Sequence, residues 1–328
     1  MSNKIQLQYE LWRECNCKCT FCTLGDENLY TPEKLKLQSV ETAINELQVI
    51  DTEKYDTVGF IGGEFFQGQL NTQRLKDKFF ELFRLCNQLL NDNKIESVWI
   101  NASLLIGNQK DLYDVLDLFD KKEKVWVLTS YDVLGRFHSN KMKETWEFHM
   151  KKLHEEYPEV HLNTTMILTG SLIDMYLNDE INFEEFKEKY HTGLFLKNPI
   201  PPHGFNDADG EPLSNEGVNK ILGNFFPTRK KAIAFFMKYK MKESELDFKN
   251  LLNMDLRAQE LRKNHNDRKH NHRNVVFIRK KDGKEEYIMN KSRRHFSRKL
   301  HCGHPEIYNS YCDCRECILC DKEKMKDI

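Results

Sequence analysis

Between Ile5 and Trp12 the chain reads Ile-Gln-Leu-Gln-Tyr-Glu-Leu-Trp, an apolar/polar alternation with the period of a half-buried strand. From residue 32 the period changes. Pro32 and Glu33 open a predicted helix through Ile50, with Leu37, Val40, Ile44 and Leu47 at helical spacing. Thr57-Val58-Gly59-Phe60-Ile61 is a short apolar run of the buried parallel type, and it ends in Gly62-Gly63-Glu64. The same rhythm predicts a helix over 71–93, a strand Ser97–Asn101, and a helix through Leu112, Val115, Leu116 and Phe119. A strand Val125–Ser130, a helix over 142–156, a strand His161–Leu168, a helical pair over 171–190 and a strand Gly193–Lys197 follow. Six β/α units in order predict an α/β fold on a parallel sheet with right-handed crossovers. Ligands of such a sheet sit at the C-terminal ends of its strands.

Beyond the sixth strand the texture changes. Asn198-Pro199-Ile200-Pro201-Pro202-His203-Gly204 is a rigid, turn-forming segment that places His203 as a candidate substrate contact. Phe225–Lys240 and 243–262 read as helices. From His265 to His301 the chain becomes basic, with twelve Lys and Arg against Asp267, Asp282, Glu285 and Glu286. Within it, Val275–Ile278 and Glu286–Met289 flank Lys281-Asp282-Gly283-Lys284, an Asp-Gly hairpin signal. Three regions are expected: 1–205 as the β/α unit, 206–264 as a helical segment packing on it, and 265–328 as a basic hairpin with a Cys/His-rich tail.

Composition changes this picture little. The chain has 328 residues, 39% of them hydrophobic, enough for one large core with an appendage. There is no apolar leader and no apolar run long enough to span a membrane, so a cytoplasmic, membrane-free protein is expected. Cysteine usage is more telling. Of ten cysteines, nine fall in two tight clusters, which reads as metal ligation rather than disulfide bonding. The tenth, Cys86, shares a helix face with Phe79, Phe83 and Leu90 and is expected in the core.

The first cluster is Cys15-Asn16-Cys17-Lys18-Cys19-Thr20-Phe21-Cys22, which follows the first strand directly. Cys15, Cys19 and Cys22 form C-x3-C-x2-C. Three thiolates on one loop suit three corners of a [4Fe–4S] cube with the fourth iron open, whereas structural clusters take four. A zinc knuckle or inert buried thiols are the alternatives, and Cys17 allows a four-ligand set within the loop. Strand, cysteine loop, helix, strand and then Gly62-Gly63-Glu64 together resemble the opening of the radical S-adenosylmethionine (SAM) superfamily.

That resemblance implies a partial (β/α)6 barrel. It implies a [4Fe–4S] cluster on Cys15, Cys19 and Cys22 whose open iron chelates SAM, one-electron cleavage of SAM to a 5′-deoxyadenosyl radical, and a flavodoxin- or ferredoxin-like reductant. Gly62, Gly63 and Glu64 would meet the methionine amine, Phe21 would pack near the adenine, and Asn101, Ser130 and Asp132, with Ser103 a weaker candidate, would bond the ribose and carboxylate of SAM. Asn101, Ser130 and Asp132 sit where ordinary turn and capping residues also occur. Thr164 and Thr165 face either the adenine or the core. The sequence departs from the family at one place: the usual GGEP is here Gly62-Gly63-Glu64-Phe65.

The second cluster is His301-Cys302-Gly303-His304 followed by Cys312, Cys314, Cys317 and Cys320. Its overlapping C-x2-C spacing suits zinc or a second iron–sulfur cluster. With the basic hairpin and its Phe277, Tyr287 and Phe296, it favours a nucleobase, nucleotide or nucleic acid as substrate. A peptide or protein maturase, a solvated charged surface without nucleic acid, and a metal-binding module without catalysis are the competing readings.

Overall fold

The computed structural model describes residues 5–12, 14–17, 19, 31–53, 55–132, 135–197 and 215–239, and the backbone alone of 275–280, 285–289, 298–299 and 305–306. Strands β1 (Ile5–Glu10), β2 (Tyr55–Ile61), β3 (Ser97–Asn101), β4 (Val125–Ser130), β5 (His161–Ile167) and β6 (Gly193–Lys197) pair in parallel and in sequential order. Helices α1 (Glu33–Gln48), α2 (Gln73–Asn91), α3 (Lys110–Leu116), α4 (Asn140–Glu156), α5 (Gly170–Leu177) and α6 (Phe183–Tyr190) connect them. The chain is thus α/β, with a six-strand parallel sheet and helices, as the periodicity predicted.

Sequential parallel strands joined by crossovers of one hand put every helix on the same face. Burial alternates accordingly. Val98 and Ile100 of β3, and Val125 and Val127 of β4, join the core, while Trp99, Asn101, Trp126 and Ser130 are half-exposed on the other face. That other face carries a row of stacked rings, with Trp99 and Trp126 at 5.2 Å between centroids and Trp126 and His161 at 4.3 Å. Trp99 also stacks on Phe195 at 6.4 Å. Their strands are three steps apart, roughly 14 Å on a flat sheet. The sheet therefore curls toward this face.

The core beneath β1 and β2 is aromatic: Trp12, Phe60, Phe65, Phe79 and Phe83 are fully buried and meet edge-on or tilted. Thr72 caps α2 by accepting from Leu75 N, and its hydroxyl donates to Glu33 at the start of α1. Ser139 caps α4 in the same way and starts that helix two residues before the predicted boundary. Helix α3 ends at Leu116, earlier than expected, although Phe119 is still buried.

Two further helices follow, α7 (Asn215–Leu222), which the sequence pattern did not indicate, and α8 (Arg229–Tyr239). Helix α8 is tied to α5 by the Lys231–Asp174 ion pair at 2.5 Å. The expected helix over 243–262 lies outside the described residues. The hairpin strands β7 (Val275–Lys280) and β8 (Glu285–Met289) are antiparallel, as the Asp-Gly signal indicated. Strand β7 also pairs antiparallel with β1, Gln6 opposite Arg279 and Gln8 opposite Phe277, and extends the sheet to eight strands. A separate short pair, β9 (Arg298–Lys299) and β10 (Pro305–Glu306), completes the described backbone. Among the described residues no helix is long and apolar enough to cross a membrane.

Candidate functional site at the C-terminal strand ends

The cysteine loop and the Gly62-Gly63-Glu64 segment leave neighbouring strands and stay bonded beyond them. Gly63 N donates to Trp12 O at 2.9 Å, and Glu64 N donates to Glu14 O at 2.9 Å. Trp12 Nε1 returns a bond to Glu64 O at 3.2 Å. Gly62 has φ +139°, and a Cβ there would lie 2.3 Å from Trp12 O. This glycine is required by the close approach of the cysteine-bearing strand.

Glu64 is buried, and its carboxylate faces its own chain. Oε1 accepts from Phe65 N and Phe66 N, each at 3.0 Å, and Oε2 accepts from Ser103 N. Burial pushes its carboxyl up to about 7, against the opposing hydrogen bond from Ser103. A proline at position 65 would have no N–H to give. Phe65 has one and uses it on Glu64, while its ring packs edge-on against Trp12 at 5.0 Å. The missing proline thus has a consequence: three of about four acceptor positions on this carboxylate are already filled.

Ser103, a minor candidate by sequence, joins the parts of the site. Its oxygen Oγ accepts from Gln67 Nε2 at 3.0 Å, and its carbonyl accepts from Thr129 Oγ1 at 3.3 Å and Arg136 Nη2 at 3.4 Å. Gln67 reaches the cysteine loop twice, donating to Cys17 Sγ at 2.7 Å and accepting from Asn16 N at 2.9 Å.

Cys15, Cys17 and Cys19 lie together at the end of β1, Cys17 and Cys19 buried and Cys15 half-buried. Hydrogen bonds from Cys15 and Cys19 hold the Cys17 sulfur far below the ordinary thiol range, while Cys15 is pushed up by its bond to Cys17 and by burial. Two side chains from the segment after β4 meet these cysteines. Arg136 Nη1 lies 3.8 Å from Cys19 Sγ, and His138 Nε2 donates to Cys17 O at 3.0 Å. Sequence reasoning missed Arg136, His138 and Gln67. The signal for Arg136 was a charged residue four places after Asp132 in an otherwise apolar and glycine-containing turn.

The other candidates fall as follows. Asn101 ends β3 half-buried, and its Oδ1 is buried without a partner among the described residues. Ser130 ends β4, half-exposed. Asp132 is buried: Oδ1 accepts from Ile167 N at 2.9 Å, Oδ2 has no partner among the described residues, and burial pushes the carboxyl up to about 6. Thr164 belongs to the core, its Oγ1 3.0 Å from Thr192 Oγ1, whereas Thr165 is half-exposed on the other face. Cys86 is fully buried, as expected, and burial pushes its thiol up. Phe21, Cys22, His203, His301, Cys302, His304, Cys312, Cys314, Cys317 and Cys320 lie outside the described residues. Among the described residues alone, no group of three or more His, Cys, Asp or Glu has the arrangement of a metal site.

No protein-family model matches the chain, and no curated protein matches it. Among solved structures it is similar to Streptococcus suis SuiB bound to S-adenosylmethionine. The two are 13% identical with a TM-score of 0.38, over 74% of this chain and 46% of that one. The chain thus spans less than half the length of that protein.

Proposed function

We propose that the chain is a radical SAM enzyme acting on a nucleobase, nucleotide or nucleic acid. One juxtaposition carries the reading. The thiols of Cys15 and Cys19 and the Gly62-Gly63-Glu64 backbone stand side by side at the C-terminal ends of β1 and β2, locked by the Gly63–Trp12 and Glu64–Glu14 bonds. The sequential, curled sheet is consistent with a partial barrel opening at that end.

Soft thiolates beside a buried guanidinium fit an anionic iron–sulfur cluster. Cys15, Cys19 and Cys22 would hold it, and with SAM bound it supplies a 5′-deoxyadenosyl radical for hydrogen abstraction. The chain's own task is to bind and orient SAM. Among the described residues Asn101 Oδ1 and Asp132 Oδ2 are buried acceptors without partners, suited to hydroxyl or ammonium donors, and Arg136 Nε is a buried donor suited to a carboxylate. Glu64, with one acceptor position left, supports the amine while bracing Ser103. Ser130 and Phe21 complete the proposed SAM contacts.

The substrate class rests on the basic composition of 265–301, whose hairpin strand β7 lies beside the strand that feeds the cysteine loop. Cys302, Cys312, Cys314, Cys317 and Cys320 are proposed to hold zinc or a second iron–sulfur cluster, and a cytoplasmic flavodoxin- or ferredoxin-like protein is the proposed reductant.

The test is direct. Anaerobically reconstituted chain, reduced with dithionite and given SAM, yields 5′-deoxyadenosine. A loaded cluster with no SAM cleavage moves the chain to the non-catalytic metal-binding reading. Nucleic-acid binding should weaken steeply with added salt through counterion release. Absent or salt-insensitive binding removes that substrate class.

A further inference from the structure

Arg136 is buried, and its three nitrogens do different things. Nη2 bonds the Ser103 carbonyl at 3.4 Å, Nη1 reaches Cys19 Sγ at 3.8 Å, and Nε has no partner among the described residues. The carboxylate that attracts it, Asp132, forms no direct ion pair with it. Asp132 spends Oδ1 on Ile167 N and leaves Oδ2 unpartnered. An arginine serving only to brace the fold would be expected to clasp that carboxylate with its fork. This one is aimed at sulfur instead.

We propose that Arg136 acts through Cys19 to raise the reduction potential of the iron–sulfur cluster which that thiolate holds, with Asp132 as a counterweight. The inference rests on the reading of the cysteine loop as a [4Fe–4S] site. Its physics is simple. Reduction adds an electron to a site that already carries thiolate charge, and a fixed cation at a ligand sulfur stabilises the reduced form more than the oxidised one. Hydrogen bonds to sulfur and local net charge are the levers by which a protein tunes such clusters. In a water-poor environment the effect of one charge is enlarged. A guanidinium suits the role because it does not lose its proton, and because one arm can hold Ser103 while the other faces the sulfur. Arg136 is thus a positioning residue for charge. Asp132, within electrostatic reach, offsets part of its field.

The two residues make predictions of opposite sign. The full chain, Arg136→Gln and Asp132→Asn are reconstituted anaerobically, and the cluster is titrated against solution potential by electron paramagnetic resonance, with iron counted in each sample. At a potential where half the wild-type cluster is reduced, Arg136→Gln should show a reduced-to-oxidised ratio about tenfold lower, equivalent to about 59 mV for a one-electron couple. Asp132→Asn should raise that ratio several-fold. Iron should stay at about four per chain at this site in both. An Arg136→Gln protein that holds its cluster and titrates with wild type overturns the inference. Should that variant hold no cluster, Asp132→Asn decides alone, and an unchanged or lowered potential there also overturns it. A wild-type chain that takes up no iron would instead defeat the reading of the cysteine loop.

Discussion

Lys36 Nζ lies 2.9 Å from Glu14 Oε2, and this ion pair gathers three separate stretches of chain at the base of the cysteine loop. Glu14 immediately precedes Cys15, and the same Oε2 accepts from Thr31 N at 2.9 Å. Lys36 also donates to Gln69 O at 3.2 Å and lies over the Trp12 ring at 5.6 Å. The lysine side chain is 2% exposed and the glutamate 18%, so the pair is shielded from the screening that weakens surface pairs. Breaking a buried pair by removing one partner costs about 3–5 kcal/mol. Lys36→Met is therefore expected to lower the unfolding free energy of metal-free protein by about that much and to reduce iron retention after reconstitution. Urea unfolding and iron analysis measure the two effects. Unchanged values in both would mean that the pair does not brace the loop.

Alanine at Cys15, Cys19 or Cys22 is expected to abolish the [4Fe–4S] absorbance and all SAM cleavage, while Cys17→Ala should retain both. Cys17 is buried and its sulfur accepts from Gln67 Nε2. Its loss should therefore appear as about 1 kcal/mol of stability, the scale of one hydrogen bond. A Cys17→Ala protein without a cluster would reverse the ligand assignment.

Glu64 carries a structural load as well as its proposed contact with SAM. Glu64→Ala leaves the amides of Phe65, Phe66 and Ser103 without their acceptor. At about 1–3 kcal/mol for each unsatisfied buried group, a loss of at least about 3 kcal/mol is expected before any SAM is added. The affinity for SAM, followed by equilibrium dialysis, should fall as well. An Ala variant with the wild-type urea midpoint would sink the bracing role, and unchanged SAM affinity would sink the contact.

Asp132 gives a pH dependence with a defined sign. Its carboxyl is raised from 3.8 to about 6 by burial, so the folded state binds its proton more tightly than the unfolded one. The stability this contributes is fully present below about pH 4 and is lost as pH rises through about 6. In metal-free protein, the wild-type unfolding free energy should therefore decline relative to Asp132→Asn between pH 4 and 7, by on the order of 2–3 kcal/mol. A constant difference between the two proteins across that range would show that Asp132 is not held in a desolvated place.

Much of this was legible in the sequence because strand and helix periods report burial directly. Ser97–Asn101, Val125–Ser130 and Gly193–Lys197 have the bounds their alternation indicated. Helix ends were less legible where a polar cap sets the start, as Ser139 does for α4. Within the site, the cysteine spacing and the Gly-Gly-Glu segment can be read because each is local. Arg136 and Gln67 could not be singled out, and Ser103 only as a weaker candidate. Each acquires its role from a partner 33 or more residues away, Gln67 on Cys17 and Ser103, Arg136 on Cys19 and Ser103. The reach of Phe65 N to Glu64 was hidden for a different reason. A backbone amide leaves no letter in the sequence except where proline removes it.

The pairing of β7 with β1 sets a clock on the making of this protein. Arg279, the register partner of Gln6 across this pair, is synthesised 273 residues after it. At about 5–20 residues per second, the outer edge of the strand that leads into the cysteines stays open for roughly 14–55 seconds of synthesis. During that interval β1 presents unpaired backbone groups, the kind of edge that recruits other chains. Chaperone protection of this edge is best timed to that window, before β7 closes the sheet.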